Sequence, residues 1–145
     1  MAEEEETPVY KSIMVPVDLE HADRLEKALE TAAGLSKQYR VPVCYVGVTA
    51  ATPGRVAHTP QEYAGKLEAF GKAQAARHGI EASARMYVSH DPAVDLDKTL
   101  MKAIADVGAD LVVMASHVPG LPEHVFATNA GYLANHANVS VFVIR

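Results

Sequence analysis

The chain has 145 residues, 49% of them apolar and 21% charged, with a net charge of −5 at neutral pH. A chain of this size buries roughly 68–70% of its unfolded surface, which is enough for one domain with a core of its own. The composition excludes a disordered or collagen-like chain, and the negative charge speaks against general binding to nucleic acid or to anionic membranes.

Residues 1–9 read as an acidic, solvated tail, because the successive glutamates Glu3 to Glu6 repel one another. Such a start is not a secretory signal. The single cysteine, Cys44, excludes an internal disulfide framework and suits a reducing cytoplasm. No apolar run approaches the ~18 residues of a membrane span. The domain is expected over residues 10–145.

Ser12 to Val17 is a short apolar run and reads as a strand. Pro16 lacks a ladder donor and belongs near its end. Leu25, Ala28, Leu29, Ala32, Leu35 and Tyr39 then follow the helical period, with Glu26, Glu30 and Lys37 outside. Val41 to Thr49 is a second strand, with Cys44 inside it as a buried and unreactive thiol. Ala50 to His58 contains Pro53-Gly54 and reads as a loop. Thr59, Pro60 and Glu62 form a capping-box start for the next helix. Tyr63, Leu67 and Phe70 are its buried stripe, and Gly79 is its stop.

Ile80 to Val88 alternates apolar and polar residues, which predicts an edge strand with one wet face. Asp91-Pro92 is expected to cap a helix that turns Leu96, Leu100, Ile104 and Val107 inward and stops at Gly108. Leu111 to Ala115 is apolar throughout and fits a central parallel strand. Ser116 to Phe126 reads as a loop, and Thr128 as the cap of a last helix through His136. Val139 to Ile144 is the final strand. Five strands alternating with four helices predict an α/β fold, a doubly wound parallel sheet sandwiched by helices.

In such sheets ligands lie beyond the carboxyl ends of the strands, where the strand order reverses. The reversal is expected between the first and fourth strands. Asp18 to His21 and the stretch 115–128 should therefore face one crevice. Asp18 either accepts hydrogen bonds from a base or ribose, or caps the helix that follows.

Ile13-Met-Val-Pro-Val-Asp18, Asp91-Pro92-Ala93, Gly108-Ala-Asp-Leu-Val-Val-Met114 and the closing Val139 to Ile144 occur in an order that resembles a universal stress protein domain from about Lys11 to Arg145. The resemblance implies strand order 3-2-1-4-5, a fold like that of adenine nucleotide alpha hydrolases, a homodimer and a role in stress response. Some members of that family bind ATP through Gly-x2-Gly-x9-Gly-Ser/Thr after the fourth strand. The matching positions here are Ala115, Val118 and Ala127-Thr128, so all three glycines are replaced, and eight residues rather than nine separate the last two. Without glycine, a left-handed backbone costs roughly 1–2 kcal/mol. Each lost hydrogen bond to a charged phosphate costs roughly 1.5–3 kcal/mol. No Lys or Arg lies between Lys102 and Arg145, and Glu123 adds negative charge.

On the adenine and ribose side, the positions matching the family's contacts are Pro16, Asp18, Val46 and Met114. All but Asp18 also suit an ordinary core. If a nucleotide such as AMP, ADP or ATP with Mg²⁺ binds, Ala115, Ser116, His117, Thr128 and Asn129 should meet it on the phosphate side.

Seven histidines raise a metal hypothesis, and His117 and His124 with Glu123 or His136 would suit zinc. None of the seven forms an i,i+4 pair, and scattered loop histidines are the commoner case, so no metal site is assigned. Ser116, His117 and Asp18 do not make a credible triad, because adjacent Ser and His side chains point apart. No catalytic residue is assigned. A slow ATPase would need Mg²⁺ and a base for water, and His117 is the only candidate. Val139, Val141, Phe142 and Val143 make the last strand apolar on both faces, which predicts pairing with a second copy. The expected protein is a cytoplasmic, non-enzymatic regulator or adaptor with a protein partner that the sequence does not name. It should not bind ATP tightly. The alternative is an adenine-nucleotide sensor with a degenerate phosphate loop.

Overall fold

The structure is a computed structural model that describes residues 8–116 and 124–145, the latter with backbone only over 124–129. Five strands form one parallel sheet: β1 (Ile13–Pro16), β2 (Val43–Ala50), β3 (Ala82–Ser89), β4 (Leu111–Ala115) and β5 (Ser140–Ile144). Their order is β3-β2-β1-β4-β5, as expected, with β3 and β5 at the edges. The helices are α1 (Glu26–Tyr39), α2 (Pro60–His78), α3 (Pro92–Val107) and α4 (His124–His136). Among the described residues no helix is long and apolar enough to cross a membrane.

The central strands are buried on both faces, which is why they read as unbroken apolar runs. On one face Ile13, Val15, Val43, Tyr45, Leu111 and Val113 pack with Leu25, Ala28, Leu29 and Ala32. On the other, Met14, Cys44, Val46, Val112 and Met114 pack with Leu100, Ala103, Ile104 and Leu133. Each such aliphatic side chain contributes about 1.5–3 kcal/mol by leaving water.

The helix ends show how local chemistry sets the frame. Thr59 Oγ1 accepts the Glu62 N–H at 3.1 Å, and Glu62 Oε2 reaches back to the His58 N–H at 3.2 Å. Gly79 and Gly108 take the left-handed conformation at the ends of α2 and α3, and Arg40 takes it at the end of α1. Asp91 stands at the N-cap of α3 but its side chain makes no cap bond. Ser89 Oγ accepts the Asp91 N–H at 3.2 Å instead. The last helix starts at His124, so Thr128 lies a turn inside it and is not its cap.

Residues 10–12 are fastened to the sheet, while the expected tail lies mostly outside the described residues. The Asp110 carboxylate accepts the Lys11 N–H at 2.9 Å and the Ser12 N–H at 3.1 Å. The Tyr10 hydroxyl donates to Ser140 Oγ at 2.9 Å.

Candidate functional site

The strand order reverses where the sequence analysis expected it, between β1 and β4. β1 and β4 are paired at Ile13 with Leu111 and at Met14 with Val112, and no further. β1 stays with β2 through Pro16 and Val46, and the Val17 N–H then donates to Val46 O at 2.8 Å. The two strands at the reversal therefore part beyond Met14, and their carboxyl ends flank the opening.

Asp18 stands at the exit of β1. Its Oδ1 accepts the Glu20 N–H at 3.1 Å, and its Oδ2 lies 2.8 Å from His21 Nδ1. It caps a short 3-10 segment, Leu19–Arg24, that precedes α1 and buries none of its residues. The capping reading of Asp18 is thus met, on the 3-10 segment that precedes α1.

One donor atom each from Asp18, Glu20 and His21 lies within 4.8 Å of the others, a set that a divalent cation would accept. Every member already has a protein partner, since Glu20 Oε1 also meets Arg55 Nη1 at 3.5 Å. The signal for this cluster was the Asp-x-Glu-His spacing, which has meaning only once the 3-10 turn is known.

Tyr63 completes the surroundings. It is buried on α2, and burial, with the Asp18 carboxylate second, pushes its phenol well above the usual tyrosine range. Its hydroxyl lies against Gly47 of β2, where a Cβ would come within 2.5 Å of it. Sequence periodicity marked Tyr63 only as a core stripe. Its nearness to Asp18 comes from packing of α2 over the end of β2.

The remaining expected residues divide. Val46 and Met114 are almost wholly buried in the core beside Cys44 and Leu100, and the Val46 carbonyl already accepts the Val17 N–H. Pro16 is half-buried and Ala115 is buried. Ser116 turns both donors to β5: its N–H and its hydroxyl reach Ile144 O at 2.8 and 3.1 Å. His117 lies outside the described residues, as do the side chains of His124, Thr128 and Asn129, with Glu123 and the proposed zinc cluster. His136 engages its own helix, with Nδ1 2.9 Å from Tyr132 O and its ring stacked on Tyr132. A cleft of about 310 Å³ lies elsewhere, between α1 and α2, lined by Leu29, Phe70, Gln74 and Arg77 among others.

At the β5 edge of the sheet, Phe142 is 44% and Val143 37% exposed, while Val139 and Val141 are half-buried. Cys44 is buried, and burial raises its thiol pKa against smaller opposing effects from Ser83 and Arg85.

Comparison with known proteins supports the same architecture. Universal stress protein G of Shigella flexneri is 26% identical over 148 residues, which covers 94% of this chain and all of that one. The universal stress protein of Archaeoglobus fulgidus in complex with dAMP superposes with a TM-score of 0.66 at 22% identity, over 94% of this chain and 99% of that one. A universal stress protein family member from Arabidopsis thaliana with AMP bound gives 0.63 at 15% identity, over 92% and 90%. These structural likenesses show the fold. The sequence profile of the universal stress protein family matches residues 9–145, and the chain belongs to that family.

Proposed function

We propose that this chain is a non-enzymatic regulatory or adaptor protein of the stress response that does not hold ATP tightly. One observation carries the reading. The phosphate-side positions lack all three glycines, and the stretch from Ala103 to Ile144 contains no Lys or Arg. Polyphosphate recognition needs close backbone approach, which those glycines allow, and compensating positive charge, which Lys or Arg supplies. Losing two charge-assisted bonds weakens binding by about two to four decades.

A second reading has its own support. Asp18 is retained at the crevice mouth, and the relatives from Archaeoglobus fulgidus and Arabidopsis thaliana were solved with dAMP and AMP. In this reading the crevice takes adenosine or an adenine mononucleotide, with Asp18 accepting from the ribose or base. Val46 and Met114 would contribute through their backbones, and Ala115, Ser116, His117, Thr128 and Asn129 would line the phosphate side. The protein is read as cytoplasmic. It is also read as a homodimer through β5, whose outer edge and exposed Phe142 and Val143 suit pairing with a second copy.

A thermal-shift titration with ATP, ADP, AMP and adenosine, with and without Mg²⁺, tests both readings. A ligand at 100 times its Kd adds about 2.7 kcal/mol of stability, which moves the melting point by several degrees. No shift with any ligand supports the adaptor. A shift with AMP or adenosine and little with ATP supports the sensor. A strong Mg²⁺–ATP shift refutes the claim of a lost phosphate cradle.

A further inference from the structure

The chain itself already engages both oxygens of Asp18. Oδ1 holds the Glu20 N–H at 3.1 Å, the bond that caps the 3-10 segment. Oδ2 lies 2.8 Å from His21 Nδ1. An ionised carboxylate can only accept, so Nδ1 carries the proton and donates. The imidazole therefore offers Asp18 what a ribose hydroxyl or a base N–H would offer: a donor at hydrogen-bond distance.

We propose that His21 is an autoinhibitory contact, a built-in surrogate for the ligand donor, and that an adenine ligand engages Asp18 Oδ2 only by displacing it. The proposal rests on the adenine-ligand reading above. Three features make the contact exchangeable. It lies on Oδ2, so releasing it leaves the capping bond on Oδ1 intact. The side chain of His21 is 23% and that of Asp18 35% exposed, so water reaches both. His21 belongs to none of the core clusters, so its ring can swing away while Leu19 and Ala22 of the same segment stay packed against the core.

The backbone favours the closed arrangement. His21 sits at φ −123° and ψ 25°, a non-helical kink inside the 3-10 segment, and its N–H donates to Asp18 O at 3.1 Å. Asp18 and His21 are thus joined through backbone and side chain together. Of the neighbouring groups, Glu20 pairs with Arg55, and the Tyr63 phenol, which feels the Asp18 charge, is buried. An incoming ligand must exchange one hydrogen bond for an equivalent one, which lowers its apparent affinity by the stability of the closed form.

The test combines adenosine titration calorimetry with ¹⁵N NMR of the histidine tautomers, on the full chain and on H21A, H21F and D18N. H21F keeps the ring volume and removes the donor. The expected result is an Nδ1–H tautomer in the wild type that is lost in D18N. Both His21 variants should bind adenosine about tenfold more tightly, which corresponds to about 1.4 kcal/mol. An Nε2–H tautomer in the wild type overturns the proposal, and so does unchanged or weaker binding by both variants. Tighter binding by H21A alone assigns the effect to ring bulk and overturns the hydrogen-bonded gate. If the wild type and the variants bind equally, the gate falls and the adenine reading stands. If no protein of the series binds adenosine, the adenine reading fails and the gate falls with it.

Discussion

Gly47 offers a sharp test of how the site is packed. Its backbone is not in the left-handed region, so alanine meets no conformational strain there. The cost is spatial. An added Cβ would lie 2.5 Å from Tyr63 Oη, 2.9 Å from Tyr63 Cε1 and 3.1 Å from Leu67 Cδ2. Tyr63 is 5% and Leu67 1% exposed, so neither side chain can move into solvent. Helix α2 must shift instead. Overpacking of this kind costs about 1–3 kcal/mol, and alanine returns roughly 0.5–1 kcal/mol of backbone entropy. At mid-range these leave Gly47→Ala a net loss of about 1 kcal/mol, within bounds of about 0 and 2.5 kcal/mol, read as a melting point lower by about 2–4 °C. Tyr63→Phe removes the closest atom but leaves Cε1, so Gly47→Ala/Tyr63→Phe should recover part of the loss. Urea melts of both single variants and the double variant give the coupling. Strictly additive penalties would refute the close approach of Tyr63 to β2.

Four more outcomes follow from the same contacts. Arg40 takes the left-handed conformation at the end of α1 that glycines take at the ends of α2 and α3, so Arg40→Gly should stabilise by about 0.5–1 kcal/mol in denaturant melts. Burial pushes the Cys44 thiol up, so a thiol reagent at pH 8 should label it only as fast as the protein opens, and at once in urea. Burial also holds the Asp97 carboxyl above the usual carboxylate range, with His136 pulling the other way, and its Oδ1 has no hydrogen-bond partner among the described residues. The folded state thus prefers the protonated form, and the associated stability is lost as pH rises through the raised value. Asp97→Asn should accordingly gain on the wild type at pH 7 and gain little at pH 4 in paired urea melts. Phe142→Glu with Val143→Glu should convert a dimer to a monomer by light scattering, and a monomeric wild type would refute pairing through β5.

Much of the fold was legible because its signals are local. Thr59-Pro60 with Glu62, and Gly79 and Gly108, act within a few residues, and their bonds form as the spacing implied. The unbroken apolar run at Leu111 to Ala115 marked a strand covered on both faces. Pro16 closes β1, where its missing donor harms nothing. Asp91 stands at the N-cap before Pro92 as the sequence implied, but its carboxylate makes no cap bond. Thr128 misled because the last helix begins earlier than its best capping residue suggests. The relations of His21 and Tyr63 to Asp18 stayed hidden for a different reason. One needs the 3-10 kink to face Asp18, and the other needs α2 packed over β2, and neither relation is a matter of periodicity.

The crevice also explains why its residues carry unequal information about a ligand. Val46 and Met114 bury their side chains, so selection for the core alone would keep them apolar whether or not anything binds. Ser116 directs both its N–H and its hydroxyl to Ile144 O, so its presence is accounted for by the sheet. Asp18 differs. A cap needs one acceptor, and Glu20 N–H satisfies it through Oδ1. The second oxygen, held by a partly exposed histidine, is surplus to the fold. The question of a bound nucleotide therefore narrows to that oxygen. Asp18→Asn retains an acceptor for the cap and replaces the other oxygen with a donor. It should leave thermal stability within about 1 kcal/mol, as for a conservative change in a partly exposed cap. If the adenine reading holds, the same variant loses adenosine binding, because its amide opposes the ribose or base donor where the carboxylate accepted it. A variant that keeps wild-type binding would remove Asp18 from the site.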